Sequence, residues 1–127
     1  MKKQILIIDD DSDLLEAIKE RLSVHDFWCV TAASAEIGLQ KASRLKPDMV
    51  LLDLNMPNMS GFGCLREFKH NPNLSKIPVV ILSGLSDEEI VREGMDLGAA
   101  GYLNKTCGAR VMVETIKHYS GAVVSNC

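Results

Sequence analysis

The sequence predicts an α/β fold, with a five-stranded parallel sheet and helices on both of its faces. Three observations carry this expectation. Short apolar runs alternate five times with segments whose apolar residues recur at three- and four-residue spacing. One run, "DMVLLDL" (48–54), is nearly continuous, as a central parallel strand buried on both faces must be. Polar residues able to do chemistry stand just past four of the five runs. Right-handed crossovers place those positions together on the carboxyl edge of the sheet, where ligands bind in such folds.

Each element follows from its residues. "QILII" (4–8) is the first strand, and Leu14, Leu15, Ile18 and Leu22 give the next segment a helical face behind Asp11 and Ser12 as caps. "FWCVTAA" (27–33) is the second strand. Ser34 then caps a helix carrying Ile37, Leu39, Ala42 and Leu45, which Gly38 weakens. After the third strand, "NMPNMSG" (55–61) has the Asn, Pro and Gly of a loop, and Phe62, Leu65 and Phe68 face the following helix inward. "IPVVIL" (77–82) is the fourth strand. Ser86 and Glu89 read as a capping box ahead of Ile90 and Leu97. "AGYL" (100–103) is the fifth strand, and Met112, Ile116 and Tyr119 mark a last helix. One domain is expected over residues 1–121, with 122–127 as a tail or the start of a linker.

Composition narrows the function. The chain has 127 residues, 46% hydrophobic and 24% charged, which suits one globular domain rather than a disordered chain. A net charge of -3 gives no basic footprint, so direct nucleic-acid binding by this chain is not expected. No apolar run nears the ~20 residues of a membrane helix, and the run after Lys2 and Lys3 is too short for a signal peptide. A cytoplasmic location follows as the default expectation. Cys29, Cys64, Cys107 and Cys127 form no CxxC pair, and His25, His70 and His118 show no ligand spacing. Reduced, mostly buried thiols are expected, with Cys107 set apart because it stands where a helix could open and lower its pKa.

At the carboxyl edge stand Asp9, Asp10 and Asp11 after strand 1, Asp53 after strand 3, Ser83 and Gly84 after strand 4, and Lys105 after strand 5. Clustered carboxylates repel one another unless something neutralises them. Carboxylate and carbonyl oxygens suit a hard cation, above all Mg²⁺. With the cation held, a remaining carboxylate oxygen can attack phosphorus while a lysine and a hydroxyl hold the phosphoryl oxygens. Phosphoryl transfer needs little beyond such positioning and charge stabilisation.

With "ILIIDDD", "LLDLNMPNMSG", "VVILSG" and "GYLNK" in this order, the chain resembles the receiver domains of two-component response regulators, over residues 4 to about 120. The spacing is the specific part: 30 residues from Asp53 to Ser83 and 22 from Ser83 to Lys105. The resemblance implies a flavodoxin-like sheet of order 2-1-3-4-5, for which the chemotaxis regulator is a reference example. It implies Asp53 as the phosphoacceptor. Mg²⁺ would sit on Asp10, Asp53 and the backbone carbonyl of Asn55, with Asp9 acting through a water. It implies Ser83 and Lys105 on the phosphoryl group, Gly84 leaving it room, and Tyr102 as an aromatic switch coupled to Ser83. The implied output surface is formed by helix 4, strand 5 and helix 5. Asn55 and Leu85 would tune the lifetime of the phosphate, and Asp11, outside the family's acidic pair, is left as a helix cap. The implied partners are a sensor histidine kinase or phosphotransfer protein and a downstream protein or output domain, with a homodimer left open and no membrane. One residue departs from the pattern: Thr106 stands where the family usually follows its lysine with proline, often across a cis bond. Without proline that bond costs ~3–4 kcal/mol.

Other readings stay open at this point. Taken singly, the acids after strand 1 suit a helix start, Asp53 a turn, Ser83 a strand-end hydroxyl, Lys105 a solvated cation and Tyr102 simple core. A receiver-like interaction module that takes no phosphate is therefore one alternative. "IIDDDSD" also resembles the first motif of haloacid-dehalogenase-like phosphatases, with Asp9 as nucleophile and Asp11 as acid/base. Ser83 and Lys105 would then supply that family's later hydroxyl and lysine. A redox or scaffold module built on Cys107 is the third. The aspartate that becomes phosphorylated, Asp53 or Asp9, separates the receiver from the phosphatase reading.

Overall fold

A computed structural model describes residues 2–56, 61–84 and 87–121. Five strands alternate with five helices: β1 (Lys3–Ile8), α1 (Ser12–Ser23), β2 (Phe27–Ala32), α2 (Ala35–Leu45), β3 (Met49–Asp53), α3 (Gly61–His70), β4 (Val79–Ser83), α4 (Glu88–Asp96), β5 (Gly101–Asn104) and α5 (Ala109–Ser120). All pairings are parallel and the order is β2-β1-β3-β4-β5, as expected. The register sets Ile8 beside Leu52, Asp53 beside Leu82, and Ser83 beside Asn104, so the chemistry-bearing strand ends are level. Asp53 and Ser83 are the last residues of their strands; β3 stops one residue short of the run 48–54, and β4 extends one residue past the run 77–82.

The alternation of side chains along the central strands divides the interior into two cores. Leu6, Ile8, Val50, Leu52, Val79 and Ile81 pack with Cys64, Leu65 and Phe68 of α3 and Ala42 of α2. Ile5, Ile7, Met49, Leu51, Val80 and Leu82 pack with Leu15, Ile18 and Leu22 of α1 and Met112 and Ile116 of α5. Every residue of β3 is buried, which is why that strand reads as a continuous apolar run. Each fully buried aliphatic side chain contributes ~1.5–3 kcal/mol of transfer free energy.

Caps at the carboxyl edge anchor the loops. Asp11 accepts from the Leu14 N–H at 3.2 Å and Ser34 from the Ile37 N–H at 3.2 Å, so both expected caps are made. The cap position of α4 is held by Asp87, while Ser86 of the expected capping box lies outside the described residues. So do Leu85, residues 57–60 of the loop after β3, and the tail 122–127.

The inward face of α2 differs from expectation. Ile37 and Leu45 are 43% and 38% exposed, while Ala35, Gly38 and Ala42 face the sheet. The helix lies so close to β1 that a Cβ at Gly38 would collide with Ile8 Cδ1 and stand 2.7 Å from its Cγ1. Small residues make that approach possible, and the larger apolar ones are left on the flank. Gly38 is thus a packing requirement as well as a weak helix former. Gly61, at the start of α3, is tighter still: a Cβ would meet the Leu54 Cα and stand 2.6 Å from the Asp53 carbonyl oxygen.

Backbone cannot rotate away as a side-chain tip can. Gly61→Ala is therefore expected to lose about 2–3 kcal/mol. Gly38→Ala should lose less, because the end of Ile8 can move and alanine regains up to ~1 kcal/mol of helix propensity. Urea unfolding monitored by circular dichroism checks the order, and a Gly61→Ala protein no less stable than Gly38→Ala would contradict it.

Candidate functional site

Asp9 and Asp53 end up side by side because β1 and β3 are hydrogen-bonded neighbours that stop at the same level. Asp9 is fully buried; its backbone N–H donates to the Ala32 carbonyl at 3.1 Å, and its Oδ1 accepts from the Asp11 N–H at 3.0 Å. Asp53 is 4% exposed and accepts from the Asn55 N–H at 2.9 Å through Oδ1. Asp10 is exposed, yet oxygens of Asp9, Asp10 and Asp53 lie within 4.8 Å of one another.

Lys105 enters this cluster from the loop after β5. Its Nζ donates to Asp53 Oδ2 at 3.1 Å and forms an ion pair with Asp9 Oδ2 at 2.9 Å. The second contact is close but poorly aligned, and Asp9 Oδ2 is left buried without a proper hydrogen bond. The peptide bond to Thr106 is trans, since no cis bond occurs among the described residues. A local turn holds the lysine instead: Lys105 N–H donates to the Ser83 carbonyl at 2.8 Å. Asn104 Oδ1 accepts from both the Thr106 N–H (2.8 Å) and its hydroxyl (2.6 Å). Proline at 106 would lack both donors, so Thr106 belongs to a different way of shaping the same bend.

Ser83 is buried and its hydroxyl donates to the Leu103 carbonyl at a weak 3.4 Å. Tyr102 is 61% exposed. Between them lies a cavity of about 470 Å³, lined by Ser83, Gly84, Asp87, Val91, Tyr102 and Asn104. The structure therefore brings Asp9, Asp10, Asp53 and Lys105 together, sets Ser83 and Gly84 at the same rim, and leaves Tyr102 turned outward. Asp11 is exposed and engaged in capping α1.

Asp87 is a residue that the sequence reading missed. Its Oδ2 accepts from the Gly84 N–H at 2.6 Å and its Oδ1 from the Asn55 side-chain amide at 3.4 Å. The available signal was an acidic residue at a helix start, which ordinarily means a cap. The three described cysteines are free thiols, and only the place of Cys107 differs from expectation. Cys107 precedes α5 rather than opening it, and burial pushes its thiol up, against a lowering by Arg21. Burial likewise raises Cys29 to about 11 and Cys64 to about 12, so none of the three is an activated thiol. The three histidines are exposed.

The electrostatics follow from burial. Burial pushes the Asp53 carboxyl above its ordinary value, and Asp9 adds to the rise against the Asn55 N–H and Lys105, which lower it. Burial alone would lower the Lys105 ammonium, but Asp9 and Asp53 outweigh it and the net shift is upward. Three carboxylates against one ammonium leave excess negative charge on hard oxygen donors. Together with the unsatisfied Asp9 Oδ2, that donor set fits a small divalent cation.

Comparison with known proteins agrees with this geometry. Residues 5–117 match the family described as the response regulator receiver domain, and the chain belongs to that family. It is 30% identical over 115 residues to the transcriptional regulatory protein YdfI of Bacillus subtilis, covering 89% of this chain and 53% of that one. It is 32% identical over 105 residues to the response regulator PleD of Caulobacter vibrioides, covering 83% and 23%. A receiver domain protein from Clostridium thermocellum superposes with a TM-score of 0.85 at 32% identity, covering 94% of each chain. The chain spans between 23% and 53% of the length of the curated relatives it matches. It is a receiver domain of two-component signalling, a class of signalling phosphoacceptors, and the phosphatase reading is not favoured.

The raised Asp53 carboxyl has a consequence for stability. A folded value above the unfolded one means that the folded state holds the proton more tightly, so stability falls as pH rises between the two. At neutral pH the ionised Asp53 therefore destabilises the metal-free fold. Asp53→Asn is expected to raise the melting temperature in EDTA at pH 7 by about a few degrees, with the gain shrinking as pH falls through that window. Scanning calorimetry at several pH values checks both, and a variant that melts below wild type at pH 7 would refute the assignment.

Proposed function

We propose that this chain is a phosphorylation-controlled switch in which Asp53 accepts a phosphoryl group. The observation that carries the reading is a buried carboxylate at the end of the central strand, paired with Lys105 and flanked by two further acids. The donor is a phosphohistidine on a sensor histidine kinase or phosphotransfer protein. A carboxylate oxygen of Asp53 attacks phosphorus, the phosphorus–nitrogen bond breaks, and the imidazole leaves and takes up a proton. An acyl phosphate forms on Asp53, and water later hydrolyses it.

The chain's own residues prepare this step. The Asn55 N–H holds Oδ1 of Asp53 and so fixes the carboxylate plane. The Lys105 ammonium is within reach of the attacking group and of the oxygens it would acquire. The Ser83 hydroxyl makes one weak bond and can exchange it for a phosphoryl oxygen. Asp10, Asp53 and the Asn55 carbonyl would hold Mg²⁺, with Asp9 one water away. When bound, the ion supplies positive charge that offsets the acids and the phosphoryl oxygens. No external metabolite is turned over, so the chain is read as a phosphoacceptor and not as an enzyme.

The readout follows from Ser83 and Tyr102. Movement of the hydroxyl toward the phosphoryl group opens the cavity beside it to the Tyr102 ring, changing the surface of α4, β5 and α5. A downstream protein or an output domain reads that surface, and a second copy of the chain is a further candidate. The relatives' greater length supports an output domain in a longer parent. A cytoplasmic location belongs to this reading, because the proposed phosphohistidine donor acts there; separately, no described helix is long and apolar enough to cross a membrane.

Intact-mass analysis after incubation with acetyl phosphate tests the reading. Wild type should gain one phosphoryl group only with Mg²⁺, and Asp53→Asn should gain none. A gain retained in Asp53→Asn would move the nucleophile to Asp9. No gain by wild type from either acetyl phosphate or a phosphorylated histidine kinase would leave a receiver fold without its switch.

A further inference from the structure

Asp87 stands at the N-cap of α4 and does not cap it. Aspartate is among the best N-cap residues because its carboxylate accepts from the free N–H groups of the first turn. No such side-chain bond is made here. The carboxylate is turned to the site instead, taking the Gly84 N–H at 2.6 Å and the Asn55 side-chain amide at 3.4 Å. Asn55 in turn donates its backbone N–H to Asp53 at 2.9 Å. A continuous chain of contacts thus runs from Asp53 through Asn55 and Asp87 to the first residue past β4. Gly84 leaves just enough room, because a Cβ there would stand 3.2 Å from Asp87 Oδ2.

A phosphoryl group on Asp53 would bring three terminal oxygens to this rim, each a strong acceptor. Lys105 Nζ, Ser83 Oγ and the Gly84 N–H are the donors at the adjoining strand ends. The last is already taken by an anion, and one N–H cannot serve two anionic acceptors well. The added negative charge would also repel the Asp87 carboxylate.

We propose that Asp87 is an anionic placeholder. It occupies the Gly84 N–H in the unphosphorylated protein, and a phosphoryl group on Asp53 displaces it and frees it to cap α4. The inference rests on the reading of Asp53 as the phosphoacceptor, and Asp87 acts in it as a positioning residue. Its two uses exclude each other, so occupancy of the site and capping of α4 become linked. The link reaches the output face without passing through Tyr102.

Trifluoroberyllate, a tetrahedral stand-in for the phosphoryl group, tests this in the presence of Mg²⁺. Calorimetric titration is run on wild type, Asp87→Ala and Asp87→Asn, each first shown to be folded by circular dichroism. Asp87→Ala is expected to bind about three- to tenfold tighter, because the anion no longer displaces a charged acceptor. Asp87→Asn, neutral but still able to accept from Gly84, should fall between. In wild type the anion should shift the amide resonances of Glu89 and Ile90 in the first turn of α4, and Asp87→Ala should lack that shift. Equal affinities, or a wild type that binds tightest, would overturn the placeholder and leave the receiver reading standing. A wild type that binds no trifluoroberyllate would overturn the receiver reading, and the placeholder with it.

Discussion

One ammonium group makes the carboxyl edge of this sheet tenable. Adjacent parallel strands deliver Asp9 and Asp53 to the same level, both out of water, and two such carboxylates repel each other strongly in a medium of low polarity. Lys105 lies 2.9 Å from one and 3.1 Å from the other. It can do so because its own N–H is tied to the Ser83 carbonyl and the Asn104–Thr106 turn fixes the chain just beyond it. The backbone thus fixes where the side chain starts, and from there its stem reaches both carboxylates.

That arrangement is incomplete by design of its charges. One cation faces three acids, and one buried oxygen of Asp9 lacks an aligned partner. A fold optimised only for stability would not keep such a group. The unbalanced charge resides on the residues proposed for phosphoryl transfer, while the two apolar cores beneath them are buried. A rigid sheet under a charge-frustrated rim allows small changes at the rim to be felt as shifts of whole loops, because the packed layer cannot absorb them.

In the proposed switch, two elements on that rim exchange partners. The Ser83 hydroxyl holds a long bond beside a cavity that the exposed Tyr102 does not fill. The Asp87 carboxylate serves the loop after β4 and makes no cap bond to its own helix. A complete switch from one state to the other requires ~5.5 kcal/mol of differential stabilisation, so several modest exchanges of this kind can share the work.

The sequence by itself determined the class of fold and most of the site. Apolar periodicity marks strands and helices because burial on one or two faces leaves a two-residue or a three-to-four-residue rhythm. Strand ends in a parallel sheet must share an edge, so Asp9, Asp10, Asp53, Ser83 and Lys105 could be gathered from their positions alone. What only the tertiary structure decided depends on distances between loops. Periodicity did not reveal that α2 packs on β1 through Gly38 while Ile37 stays outside, because the closeness of two elements is set by both surfaces. Nor did any spacing show that Asn104 and Thr106 hold Lys105 over a trans bond. The contact of Asp87 with Gly84 and Asn55 was equally hidden, since a helix-start aspartate looks the same in sequence whichever N–H its carboxylate accepts.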